Sequence, residues 1–249
     1  MNLRVAALAA FVLAAVRPAI GEIPMEERRS GYETMGRETR AMQDDDATNP
    51  AMFWVLEGET LFRKKAGSGK ACADCHATLK GAAARHPARD AKSGRLLNLE
   101  QRINACRTGR MDAPAYAYES RELLSLTAYV AKQSRGLEIQ SHENPSVEAG
   151  RRLYQLRQGQ LNLSCAQCHD EQWGKKLAGA PIPQGHATGY PVYRLEWQSL
   201  GSLQRRLRNC LTGMRAETFP FGALELVELE AYLMWRARGM KVESPAVRP

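Results

Sequence analysis

Apolar residues recur at helical spacing in blocks separated by polar, glycine- and proline-bearing stretches. The pattern predicts an apolar helix over residues 52–64, a glycine-containing turn at 66–70, and a second helix from about Asn98 to Cys106. A third helix, over 120–134, carries Leu123, Leu124, Leu126 and Val130 at helical spacing and stops at Gly136. Residues 137–145, leading to Pro145, predict a linker. Beyond it come helices over 147–158, 201–209 and 223–238, a long loop from Trp173 to Tyr193, and an extended tail over 243–249. The fold class expected is mainly α.

The N-terminus changes the picture first. Arg4, an apolar run from Val5 to Val16 and small residues at Ala19 to Gly21 predict a secretory signal peptide over 1–21. The apolar run is short of the roughly 20 residues a spanning helix needs, so a soluble, exported protein with no membrane span is expected. Residues 22–49 are charged and polar; they predict an arm with a short helix that packs across a neighbouring surface.

The chain also repeats itself. Cys72-Ala73-Asp74-Cys75-His76 returns as Cys165-Ala166-Gln167-Cys168-His169, and each copy is followed by a lone cysteine, Cys106 or Cys210. Around them Arg102, Cys106 and Gly109 fall in register with Arg206, Cys210 and Gly213, and Ala128-Tyr129 with Ala231-Tyr232. In an exported protein Cys-x-x-Cys-His predicts c-type haem attachment. Two thiols one turn apart can add to the vinyl groups while the adjacent imidazole reaches the iron. A zinc knuckle or a disulfide is the competing reading of one copy, and two copies behind an export signal favour haem. The expectation is two tandem cytochrome c-like domains, over 50–136 and 146–249, in a bacterial periplasm. Cys72, Cys75, Cys165 and Cys168 would hold two haems, with His76 and His169 as proximal ligands.

The sixth ligands stay open between three readings. Met111 and Met214 are available, but they stand five and four residues after their cysteines, out of register, whereas Cys106 and Cys210 align. A Cys106–Cys210 disulfide is the ordinary fate of a spare pair outside the cytoplasm. Register favours thiolate ligation of both irons. Arg205, Arg206, Arg208 and Arg215 crowd around Cys210, a density that predicts an anion pocket beside a reactive sulfur. Arg206, one turn before Cys210 on the same face, is the first candidate. His86, His142 and His186 are expected at the surface or in loops, and the four tryptophans in packing roles. With 35 Lys+Arg against 27 Asp+Glu, a formal charge of +8, the chain suits small anions or acidic proteins. Nucleic acid does not fit an exported haem protein.

Gly189-Tyr190-Pro191-Val192-Tyr193-Arg194-Leu195-Glu196-Trp197 and Gly201 to Cys210 resemble the SoxA subunits of the SoxAX cytochromes of bacterial sulfur oxidation. So do Arg29-Ser30-Gly31-Tyr32, Thr39 to Asp46, and Trp235-Arg236-Ala237-Arg238-Gly239, which spreads the resemblance over nearly the whole mature chain. It implies a dihaem member with Cys106 and Cys210 as haem ligands and Cys210 as the cysteine that can be found as a persulfide. It further implies oxidative joining of thiosulfate to a cysteine of the carrier SoxYZ, a heterodimer with SoxX, and electron delivery to an external cytochrome c. Arg206 matches the assisting arginine; Arg215 and Arg236 are weaker carry-overs. The alternatives are a dihaem thiosulfate dehydrogenase forming tetrathionate, which needs only one cysteine-ligated haem, and a plain dihaem electron carrier.

Overall fold

The structure, a computed structural model, describes residues 23–249; the expected signal peptide lies outside them. The arm opens with two 3-10 turns, Met25–Glu27 and Gly31–Thr34, and then α1, Arg37–Asp44. Ser30 starts the second turn by accepting from the Tyr32 N–H. The arm is strapped down at both ends. Gln184 accepts from the Arg29 N–H (2.6 Å) and donates to the Glu27 carbonyl, while Asp46 pairs with Lys132 and Arg135.

Each repeat is built on two helices that cross at a glycine. In the first, α2 (Met52–Arg63) crosses α4 (Arg121–Lys132). A Cβ at Gly58 would collide with the Ser125 carbonyl and come within 2.8 Å of the Tyr129 Cβ. In the second, α5 (Pro145–Gln155) crosses α8 (Leu224–Arg236), and a Cβ at Gly150 would meet the Glu228 carbonyl and Tyr232 in the same way. The ring pairs Phe62–Tyr129 and Tyr154–Tyr232 then lock corresponding corners of the two repeats.

Between the crossing helices each repeat runs through the same sequence of elements. In the first these are a 3-10 turn at Cys72–Asp74, a hairpin of β1 (Ala88–Arg89) and β2 (Leu96–Leu97), and α3 (Leu99–Arg110). In the second they are α6 (Cys165–His169), an inserted hairpin β3 (Lys176–Leu177) and β4 (Ala180–Pro181), then β5 (Val192–Arg194), β6 (Ser199–Gly201) and α7 (Leu203–Gly213). The expected long loop at 173–193 therefore holds two short strands and the start of β5. Asn98 and Ser202, equivalent residues, cap α3 and α7 by accepting from the backbone N–H three residues on. The tail forms β7 (Ala246–Arg248), which lies parallel to β5.

The repeats share their core. Val55, Leu124 and Ala128 of the first pack in one cluster with Tyr193, Leu200 and Val247 of the second. The segment expected as a linker is also pinned: the Ile139 N–H donates to the Met240 carbonyl and the Val242 N–H to Leu137. Trp54, Trp197 and Trp235 are half-buried, but Trp173 is 46% exposed next to the inserted hairpin, where Leu177 is 67% exposed; Trp173 departs from the packing role expected of the tryptophans.

Candidate haem and sulfur site

The second Cys-x-x-Cys-His forms a single turn because Ser164 and Gln167 cap it reciprocally. The Ser164 hydroxyl accepts from the Gln167 N–H (3.3 Å) and the Gln167 amide oxygen from the Ser164 N–H (2.9 Å). The turn brings Cys165, Cys168 and His169 to one side. His169 Nδ1 donates to the Pro183 carbonyl at 2.7 Å, so Nδ1 carries the proton and Nε2 presents its lone pair. Burial holds this imidazole below its usual pKa and therefore neutral, the form a metal accepts. Gly185, at φ +77°, lies so close that a Cβ would sit 3.2 Å from the His169 ring. The donor set of two thiols and one oriented imidazole suits covalently bound haem.

Arg236 braces this arrangement from behind. It is 5% exposed, donates to Asp170 Oδ1 at 2.6 Å and to the Gln184 carbonyl at 3.1 Å, and lies over the Tyr154 ring. Asp170 also accepts from the Tyr154 hydroxyl (3.0 Å). The resemblance suggested Arg236 for the catalytic pocket; its partners instead lie around His169, where it fixes the loop carrying Pro183.

On the other side α7 supplies Cys210, half-buried, with Arg206 one turn earlier. Burial disfavours the Arg206 cation, but Cys210 and Tyr190 beside it outweigh that and raise its pKa. Burial, and then the nearness of Cys210, push the Cys165 thiol up to about 12. The lone cysteine thus faces the attachment cysteines of its own repeat, as Cys106 faces Cys72. All six cysteines are free thiols, so the structure holds no Cys106–Cys210 disulfide.

The four arginines expected around Cys210 part company. Arg205 lies over Trp197 and 3.7 Å from Glu119. Arg208 donates to the Phe219 carbonyl and covers Phe221. Arg215, exposed at φ +54°, follows the end of the helix. The Arg206 and Arg215 side chains make no hydrogen bond or ion pair to a described residue, and of these two only Arg206 stands one turn before Cys210 on its helix. In the first repeat the equivalent Arg102 is bound by Asp90 at 2.5 Å. The position equivalent to Asp90 in the second repeat is Arg194, which pairs with Glu196. A charge reversal on the hairpin thus leaves one repeat with a neutralised arginine and the other with a free cation.

Two sequence expectations need correction. Met111 and Met214, read as out of register, both occupy the C-cap of their helices and are both buried. Helix α3 is one residue longer than α7, and this cancels the offset. Met111 Sδ lies 3.7 Å from Cys72 Sγ. His86 and His186 stand in loops, as expected, but are partly buried rather than at the surface, and His186 Nδ1 has no partner among the described residues; His142 is exposed, as expected. Pro183, Gln184, Asp170 and Tyr190 were not singled out as site residues. Extending the 104-residue register back from Cys106/Cys210 to His86-Pro87/Tyr190-Pro191 would have found Tyr190.

A Cys-x-x-Cys-His turn with a facing cysteine in each of two similar units, and a neutral, oriented histidine in the second, define a c-type cytochrome. The family described as SoxA/TsdA, cytochrome c domain, matches residues 57–139 and 149–242, and the chain belongs to it. Among curated relatives, the L-cysteine S-thiosulfotransferase subunit SoxA of Pseudaminobacter salicylatoxidans is 36% identical, covering 90% of this chain and 82% of its own. The SoxA subunit of Rhodovulum sulfidophilum is also 36% identical, over 90% and 81%. The SoxXA crystal structure from P. pantotrophus superposes with a TM-score of 0.86 at 32% identity, covering 89% of this chain and 87% of that one.

Proposed function

We propose that this chain is the SoxA-type subunit of an L-cysteine S-thiosulfotransferase. It would join thiosulfate to a carrier cysteine at Cys210. The observation that carries the reading is the free Arg206 cation one turn from Cys210, set against the neutralised Arg102 of the first repeat. Relatives bearing that activity in their names extend over most of the chain.

Arg206 holds the sulfonate of thiosulfate, as a guanidinium holds an oxyanion, and orients the outer sulfur toward Cys210 Sγ. Formation of the S–S bond between Cys210 and that sulfur releases two electrons. The carrier thiolate then attacks the same sulfur and leaves as a cysteine S-thiosulfonate, while Cys210 departs as thiolate. Haem, which Cys165 and Cys168 would hold with His169 as ligand, would take the two electrons one at a time and pass each on toward the SoxX-type subunit. Cys210 would be the further ligand.

The first repeat would hold a second haem through Cys72 and Cys75, with His76 and Cys106 as the corresponding ligands. With Arg102 closed off by Asp90, that site lacks the free arginine one turn before its cysteine, and its role is structural. The wider setting is periplasmic: a SoxX-type cytochrome subunit as partner, as in the related SoxXA structure, SoxYZ as carrier and an external cytochrome c as acceptor. Among the described residues no helix is long and apolar enough to cross a membrane.

Cys210→Met is the direct test. Haem content measured by mass should stay at two, while thiosulfate-dependent electron release with SoxX and SoxYZ is lost. Unchanged release in that variant would refute the assignment.

A further inference from the structure

The two repeats meet around a cavity of about 60 Å³, room for a few water molecules. Its lining comes in corresponding positions: His86 and Tyr190, Leu99 and Leu203, Thr127 and Glu230. The cavity therefore lies on the seam of the internal repeat. Two carboxylates reach it, Glu100 from the first turn of α3 and Glu230 from α8, each less than a tenth exposed. Glu230 Oε1 accepts from Asn98 (2.9 Å) and Gln204 (2.6 Å), both almost fully buried. The Glu100 carboxylate is bonded by its own backbone N–H and has no side-chain hydrogen bond or ion pair to another described residue. The position equivalent to Glu100 in the second repeat is Gln204 itself.

The other ionisable groups facing the pair are His86 and Tyr190 in the lining, Tyr118 beside Asn98, and Glu119, whose charge falls on Glu100 and which is itself near Arg205. No lysine or arginine lines the cavity. Two buried carboxylates without a cation do not both stay ionised; one proton between them removes the repulsion. The seam also touches both candidate haem pockets. Tyr190 faces Arg206 and Cys210, and His86 feels the charge of Arg102. Glu100 and Gln204 each stand six residues before the lone cysteine of their helix, about 9 Å along the axis at 1.5 Å per residue.

We propose that the seam cavity is a proton site in which Glu100 and Glu230 share a proton, and that its uptake accompanies electron uptake at the haem sites flanking it. One electron arrives from a one-electron reductant and one proton arrives from water at the carboxylate pair. The only bond formed is O–H, and oxidation reverses both movements. Electron arrival makes the flanking pockets more negative, which favours the protonated pair; loss of the electron favours its release.

The inference rests on haem being bound but not on the transferase reading, and its test uses neither thiosulfate nor carrier, so the two fail separately. The holo chain is titrated with redox mediators from pH 5.5 to 9, following haem absorbance, alongside reduced-minus-oxidised infrared spectra. The expected result is a midpoint that falls as pH rises through neutrality, with a protonated-carboxyl band gained on reduction. Glu230→Gln and Glu100→Gln should each flatten the slope and remove the band. Glu100→Gln installs the residue the second repeat carries there, so it keeps the test available if the other variant does not fold. A pH-independent wild-type midpoint, or a slope and band unchanged in Glu100→Gln, would overturn the proposal.

Discussion

Two arginines at one register position behave differently because of one neighbour. Arg102 is bound to Asp90, while Arg206 has no such acceptor, since Arg194 stands where the carboxylate would be. A hydrogen bond to a charged group contributes about 1.5–3 kcal/mol, a factor of roughly 10–100 in affinity. Arg206→Ala should therefore raise the KM for thiosulfate by about 10- to 100-fold, and Arg206→Lys, which keeps the charge but not the fork, by less. Arg102→Ala should leave KM unchanged, as steady-state electron release would show. Arg236 belongs to a different argument. Arg236→Leu strands Asp170, a carboxylate with few other donors, at a cost of about 3–5 kcal/mol for an unpaired buried charge. It should also loosen the Pro183 carbonyl from His169. Urea unfolding reads the first effect, and a displaced midpoint of the second haem reads the second.

At the scale of elements, the long helices were legible in the sequence because their buried faces repeat at helical spacing. A short helix was expected in the arm, though not its bounds, and the hairpins were not expected at all. Strands of two or three residues carry no periodicity, and the arm is held by Gln184, Asp46 and Arg248 rather than by an apolar stripe. The equivalence of Met111 and Met214 was hidden because register was counted from the cysteines, while the structure sets it from the helix ends. Glu100 and Glu230 were invisible for a related reason: a carboxylate in an amphipathic pattern reads as solvent-facing, and only the meeting of the two repeats buries it. The helix crossings were half visible, since Gly58 and Gly150 stand in register but nothing in the sequence shows backbone pressed against them. That contact makes Gly150→Ala costly. The added methyl meets the Glu228 carbonyl, which cannot swing away as a side chain end can. Overpacking of this kind costs about 1–3 kcal/mol, and at this size each kcal/mol lowers Tm by roughly 2–4 °C. Gly36→Ala, at a glycine with open space around its Cβ, is the control and should leave Tm within a degree or so of wild type.

For the whole molecule the sequence suggested two haem domains joined by a linker, and the packing argues for one folding unit. The cluster of Val55, Leu124, Tyr193 and Val247 spans both repeats, the supposed linker is bonded to residues 240–242, and the arm bridges α4 and the C-terminal tail. The seam then carries a pH dependence of its own. Burial raises Glu100 to about 7 and Glu230 to about 8, well above the roughly 4.3 of an unfolded glutamate. The folded chain therefore binds protons that the unfolded chain has released. Their stabilisation is complete below the unfolded pKa and drains away as pH rises through the folded values, which is the opposite sense to an ion-paired carboxylate. Urea midpoints of the holo protein should fall between pH 5.5 and pH 8.5. In Glu100→Gln the fall should be visibly smaller, because the remaining carboxylate no longer has a buried partner to repel. Absorbance of each repeat should unfold at one shared midpoint throughout, and two separated transitions would show that the seam does not join the repeats.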